Sequence, residues 1–271
     1  MPAATAHSVW GMTPTLARRA GALTLIVATT AAVAGCGGIG ARLTFNDTEK
    51  TKVTEIAIDG GSGDVMVTTS AVTETSIKRV IEHSSDPGPS YRMVGTVLHI
   101  DTSCGHTCSV SYEIQAPAGV AVTGALHSGN LGLTGIGAAD VTLTSGDIEV
   151  RGATGAVKAR STSGNITVTD TKGGVTLQAT SGDVHAINIG GGPVSARTTS
   201  GNVDVRLIVP TGVTAQATSG DVNVIVPPGA YQVHTRTGSG DANVAGITND
   251  AAAKNVLDLR AGSGDVTVAA A

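Results

Sequence analysis

The densest group of chemistry-bearing side chains is Cys104-Gly105-His106-Thr107-Cys108. Reduced, the two thiolates and His106 would offer three ligands to a zinc ion. Oxidised, the cysteines would close a disulfide across a tight hairpin between Val97-Leu98-His99-Ile100 and Val110-Ser111-Tyr112-Glu113-Ile114. The disulfide is favoured, because no fourth ligand stands nearby and free thiolates sit badly in an oxidising compartment. A second group is a row of Asp and Asn residues recurring along the chain. A hard cation such as calcium wants several carboxylates per site, and the alternating Asn weakens that use of the row. No metal and no other cofactor is expected. The seven histidines show no local pairing with Ser and Asp. His185 and His234 are the candidates for a Ser-His-Asp triad built across distant segments, against the commoner case of isolated surface histidines.

The Asp and Asn residues belong to an internal repeat. Ser-Gly-Asp or Ser-Gly-Asn occurs nine times. The first is Ser62-Gly63-Asp64. Then come Ser128-Gly129-Asn130, Ser145-Gly146-Asp147, Ser163-Gly164-Asn165, Ser181-Gly182-Asp183, Ser200-Gly201-Asn202, Ser219-Gly220-Asp221, Ser239-Gly240-Asp241 and Ser263-Gly264-Asp265. From Ser128 the steps are 17, 18, 18, 19, 19, 20 and 24 residues. Around each tripeptide apolar and polar residues alternate, as in Val157, Ala159, Ser161 and Ser163 before the corner and Ile166 and Val168 after it. That period of two is a strand with one buried face. The parity puts each serine inward. Glycine tolerates positive φ, and Asp or Asn favours an Asx-type bend, so the tripeptide is a corner and no catalytic motif. Two short strands per unit predict an all-β, single-domain β-solenoid, parallel β-helix-like, with coils of about 18 residues stacked about 4.8 Å apart. Eight contiguous corners would span roughly 38 Å at that spacing. A meander of hairpins gives the same alternation and stays open as the alternative.

Registering the units on serine exposes a second order. Three residues earlier stand Arg160, Gln178, Arg197, Gln216, Arg236 and Arg260. Arg coils carry Asn corners and Gln coils carry Asp corners through four units, which implies duplication of a two-coil unit. Like charges in one row then fall about 9.6 Å apart, roughly halving a repulsion of about 0.9 kcal/mol in water. The opposite bend varies in length, from Arg151 to Gly155 through Gly246 to Asn255, and collects the insertions. Such an edge is either a binding face or tolerated loop drift.

The less regular residues 50–123 are expected to form the first coils and an N-terminal disulfide-stapled cap, ahead of regular repeats over 124–271. Candidate strands are Val53 to Ile58, Val65 to Thr69, Ile77 to Ile81 and Tyr91 to Val97, with a turn-rich Ser84 to Ser90. Residues 1–35 have the form of an export signal: Arg18 and Arg19, then an apolar run from Ala20 to Ala34 too short for a comfortable membrane span. Met12 is an alternative start. Val33-Ala34-Gly35-Cys36 resembles the lipobox of bacterial lipoproteins. That resemblance implies a thioether-linked lipid on Cys36, anchoring to the outer face of the cell membrane, and a linker over 36–49. An ordinary secretory signal with a chance cysteine is the other reading. The formal charge of -4 becomes -6 without Arg18 and Arg19, and no basic stripe appears, so nucleic acid is not an expected partner. Aromatics make up only 2% of the chain. Sugar-stacking platforms normally need more.

Repeated Ser-Gly-Asp-Val about every 18 residues, with Tyr112-Glu-Ile-Gln-Ala-Pro-Ala-Gly-Val120 ahead of it and Pro-x-Gly at Pro210-Thr-Gly212 and Pro227-Pro-Gly229, is similar to the bacterial DUF4097 family of adhesin-like envelope proteins. The resemblance covers roughly residues 50–268. It implies a β-solenoid, surface exposure and adhesion, and it supplies no catalytic residues to transfer. The expected function is therefore a non-catalytic adhesion, interaction or scaffolding module whose partner is an envelope protein or a cell-wall polymer. The alternatives are an envelope-stress accessory signalling through a membrane partner, and a polysaccharide-active β-helix enzyme, which would need clustered carboxylates in a cleft.

Overall fold

The computed structural model describes residues 42–82, 88–105 and 108–271. The expected export segment, Cys36 and His106 lie outside the described residues. Twenty-three strands and no helix occur among the described residues. The irregular part contains β1 (Arg42–Glu49), β2 (Glu55–Asp59), β3 (Val65–Ser70), β4 (Thr75–Glu82), β5 (Tyr91–Val94), β6 (Val97–Asp101) and β7 (Ser109–Pro117). Long and short strands then alternate: β8 (Ala121–Ser128) and β9 (Leu131–Thr134), β10 (Ala139–Ser145) and β11 (Ile148–Arg151), β12 (Val157–Ser163) and β13 (Ile166–Thr169). Next come β14 (Val175–Ser181) and β15 (Val184–Ile189), β16 (Val194–Ser200) and β17 (Val203–Leu207), β18 (Val213–Ser219) and β19 (Val222–Val226). The chain ends with β20 (Tyr231–Ser239) and β21 (Ala242–Ala245), then β22 (Asn255–Ser263) and β23 (Val266–Ala270).

Two sheets face each other. One, here the short sheet, holds the short strands of the regular coils together with β1, β4, β7 and β3, in the order β1-β4-β7-β3-β9-β11-β13-β15-β17-β19-β23-β21. The other, here the long sheet, holds the long strands of the regular coils together with β2, β6 and β5, in the order β20-β22-β18-β16-β14-β12-β10-β8-β2-β6-β5. Setting aside the antiparallel β1, β4 and β5 leaves ten parallel strands in each sheet, hence ten coils. This is the expected solenoid. The meander is excluded, because consecutive long strands such as β12 and β14 pair in parallel while the short strand between them lies in the other sheet. At about 4.8 Å per coil the rod is about 43 Å long.

Stacking places equivalent residues in columns. Ile148, Ile166, Val184, Val203, Val222 and Val266 form one inward column of the short sheet. Ala139, Val157, Val175, Val194, Val213 and Leu257 face them from the long sheet. All are buried. β-branched and small residues suit this core, since each must match the residue directly above and below in a layer of constant thickness.

The order of coils in space departs from the order in sequence at both ends. The β2–β3 coil packs against β8–β9, and the later β6–β7 coil lies outside it. At the other end β22–β23 inserts between β18–β19 and β20–β21. The 24-residue step from Ser239 to Ser263 is therefore the return of the chain for an inserted coil, not the enlarged bend that spacing suggested. Burial explains the exchange. The inserted coil offers Leu257, Leu259, Val266 and Val268, all fully buried. The terminal coil puts Thr235 opposite Leu259 and Thr237 opposite Ala261, and its Val244, in register with Val268, remains 42% exposed. The more apolar coil takes the interior place, because end positions bury only one face.

Two boundaries move. β1 occupies Arg42–Glu49, most of the segment expected to be a linker, and pairs antiparallel with β4 at the edge of the short sheet. The stretch Tyr91 to Val97, expected as one strand, is divided at Gly95 into β5 and β6, which pair antiparallel. The antiparallel strands cover the N-terminal end of the stack, as a solenoid end requires.

Candidate functional site

Each Ser-Gly-Asx tripeptide turns the chain from a long strand into a short one. All nine glycines have φ between +113° and +138°. A Cβ on Gly182 would also land against the carbonyl oxygen of Gly164 in the coil below. Glycine is thus required both for its conformation and for the close approach of stacked corners.

The acidic or amide residue works between coils, not within its own bend as expected. The Oδ1 of Asp64 accepts the backbone N–H of Asn130 at 2.7 Å, and Asn130 Oδ1 accepts that of Asp147 at 3.1 Å. The same link joins Asp147 to Asn165, Asn165 to Asp183, Asp183 to Asn202 and Asn202 to Asp221. It continues through Asp221 and Asp265 to Asp241, in spatial order and not in chain order. In the first coil Ser111 Oγ substitutes, accepting from the N–H of Asp64 at 3.0 Å. Only an Oδ1 acceptor is needed, which Asp and Asn both have. In space the two alternate strictly from Asp64 to Asp221, because the early Asp64 corner stacks directly on Asn130.

The corner serines are exposed, contrary to the inward parity expected of them. The inward place falls two residues earlier, on Leu143, Ser161, Ala179, Thr198 and Ala217, and the next two residues of each strand both face out. Alternation ends at that point because the chain is already turning. The inward hydroxyl of Thr198 donates to the carbonyl of Gly182 at 2.9 Å, and Thr237 does the same to Gly264 at 2.8 Å.

Cys104 and Cys108 form a disulfide with Cα atoms 5.4 Å apart. It does not staple a hairpin. β6 belongs to the long sheet and β7 to the short sheet, so the bridge closes a corner in the position that Ser-Gly-Asx occupies in other coils. It is internal to the fold, and the N-terminal cap is made by β1, β4 and β5 instead. Beside it lies a polar cluster that sequence patterns did not reveal. The Tyr112 hydroxyl donates to the Ser90 carbonyl at 2.7 Å. Arg79 is buried, donates to Ser90 Oγ at 3.1 Å and lies 4.4 Å from the centre of the Phe45 ring. Burial pushes the Tyr112 phenol up to about 12.

The outer face of the long sheet carries the second order in register. Thr142, Arg160, Gln178, Arg197, Gln216, Arg260 and Arg236 form one row. The exposed Thr144, Thr162, Thr180, Thr199 and Thr218 run alongside. A groove of about 450 Å³ lies along these rows from Thr142 to Thr218. A second, about 500 Å³, lies at the far end around His234, Arg236, Asp258 and Arg260. On the short sheet His185 Nδ1 lies 3.1 Å from Asp204, and His234 stands in register with Asp258 on the long sheet. The two histidines thus lie on different faces of the rod. Among the described residues no group of three or more His, Cys, Asp or Glu is placed to hold a metal ion.

The Toastrack DUF4097 family model matches residues 43–269. The chain belongs to this family. No curated protein matches the sequence. Among solved structures, a candidate cell adhesion protein from Clostridium sporogenes shares 11% identity over 86% of this chain and 100% of its own, with a TM-score of 0.29. A candidate adhesin from Bacteroides fragilis shares 14% identity over 84% of this chain and 97% of its own, with a TM-score of 0.42.

Proposed function

We propose that this Toastrack protein is a non-catalytic adhesion or scaffolding rod of the cell envelope, exported and held at the outer face of the membrane by a lipid on Cys36. One observation carries the binding role: exposed polar side chains run in parallel rows along a straight stack of coils. Rows suit an extended partner. Catalysis asks instead for unlike groups converging on one point. An envelope protein or a cell-wall polymer is the partner class.

The test is retention of the protein on a detergent-treated envelope extract and on isolated cell wall. Capture of a discrete envelope component or of wall polymer is expected. Binding to neither would overturn the adhesion reading. Cys36→Ala is expected to release the protein from the membrane fraction, and a mutant that stays there would remove the anchor from the proposal.

A further inference from the structure

We infer that the outer face of the long-strand sheet is a binding groove for a linear polyanion of the cell wall, a polymer bearing carboxylate or phosphate groups among hydroxyls. This site deepens the proposed binding role and depends on it.

The charges point to this class. In the groove of about 450 Å³ the lining side chains are Arg, Gln, Thr, Ser and Ala, with no carboxylate. Arg197 stands at its centre, between Gln178 and Gln216, and has no carboxylate within ion-pair reach among the described residues. Arg236, at the end of the row, has none either. Arg160 shares Asp140 with Lys158, at the longer distance of 3.6 Å, and donates to Gln178. Arg260 is held by Asp258 through two bonds of 2.9 Å and is largely compensated.

The corners add an independent observation. The coils bearing Arg160 and Arg197 have the neutral corners Asn165 and Asn202, while the Gln178 and Gln216 coils between and beside them carry Asp183 and Asp221; the Arg260 and Arg236 coils at the end of the row carry Asp265 and Asp241. Asn and Asp corners make the same Oδ1 bond, so the backbone does not dictate which coil carries the charge. At Arg160 and Arg197, the two cations of the central groove, the arrangement keeps the corner carboxylate out of the coil that carries the cation. Arg160, Arg197 and Arg260 recur every second coil, about 9.6 Å apart. Guanidinium groups bind carboxylate and phosphate by paired hydrogen bonds, and Gln and Thr between them can meet hydroxyls. The central groove lining has no aromatic ring, so it reads charge and hydroxyls rather than sugar faces. The protein is acidic as a whole, at -4, which opposes indiscriminate binding of polyanions away from this row.

The experiment is titration of the purified full chain in detergent with polygalacturonate, poly(glycerol phosphate), neutral dextran and a single-stranded oligonucleotide. Binding of at least one of the first two is expected, weakening as salt rises, with none to dextran; which of them binds separates carboxylate from phosphate. The triple variant Arg160→Gln, Arg197→Gln, Arg236→Gln is expected to lose at least about tenfold in affinity, the factor that 1.4 kcal/mol makes. Its melting temperature should not change, and Arg42→Gln with Arg151→Gln, on the short sheet, should bind normally. Unchanged affinity in the triple variant, equal binding of dextran, or preference for the oligonucleotide would each overturn the groove. If neither polyanion binds while envelope extract still retains the protein, the groove fails and the adhesion role stands. Retention by nothing ends both.

Discussion

Asp183 shows how little of a side chain the corner uses. Its Oδ1 holds the N–H of Asn202 at 2.7 Å, and its own N–H is held by Asn165 at 2.9 Å. Asp183→Asn keeps the acceptor and is expected to change stability by less than about 0.5 kcal/mol, whereas Asp183→Ala should cost about 1 kcal/mol, one hydrogen bond. Chemical denaturation of both variants checks this; equal losses would mean that charge and not the acceptor matters. Tyr112 makes a second residue-scale prediction. Its folded-state phenol ionises near 12, against an ordinary value of 10.0. The folded chain therefore keeps a proton that the unfolded chain gives up above pH 10, so this contribution is whole below that pH and is lost as pH rises toward 12. Melting temperature should fall over that window, and Tyr112→Phe should flatten the fall. A phenylalanine variant with an unchanged alkaline profile would assign the effect elsewhere.

At the scale of elements, the coil is one long-sheet strand, one corner and one short-sheet strand, and only the β6–β7 coil, outermost at its end of the stack, exchanges Ser-Gly-Asx for a disulfide. The bridge closes a loop of sequence separation 4. Such a short loop restricts the unfolded chain modestly, so Cys104→Ser with Cys108→Ser is expected to cost about 2 kcal/mol. Unfolding under reducing and oxidising conditions measures it. No difference between them would mean that stacking on the neighbouring corner holds this loop unaided. The opposite bends obey a rule that insertions hid. Gly135, Gly152 and Asp170 directly follow successive short strands and Asn188 sits just before the last residue of β15, all with φ between +55° and +70°. Asn188 also donates to Asp170 at 3.0 Å. Asp and Asn tolerate this conformation better than other residues with a Cβ, which is why they share the position with glycine.

For the whole molecule, the exchange of the last two coils sets where stability resides. Leu259 belongs to the inserted coil and is fully buried, whereas Val244 belongs to the terminal one and is 42% exposed. Leu259→Ala is expected to cost about 2–5 kcal/mol. Val244→Ala should cost under about 0.5 kcal/mol. A chain stacked in sequence order would reverse the ranking, so the pair of melting temperatures distinguishes the two arrangements.

Much of this was legible in the residues. Strand alternation, the glycine corners and the spacing of Ser-Gly-Asx determine a β-solenoid, because each is a local requirement repeated often enough to leave few alternatives. The Arg and Gln row was also visible, since coils of nearly equal length keep residues in register. Three matters needed the tertiary structure. Spacing says where corners lie and not what their side chains bond, and Oδ1 reaches the next coil because stacked backbones approach closely there. Alternation cannot tell a hairpin from a corner, and only the assignment of β6 and β7 to different sheets places the disulfide at a corner. Chain order does not dictate stacking order, because a coil with Leu259 and Ala261 gains more from two covered faces than one with Thr235 and Thr237 at the same positions.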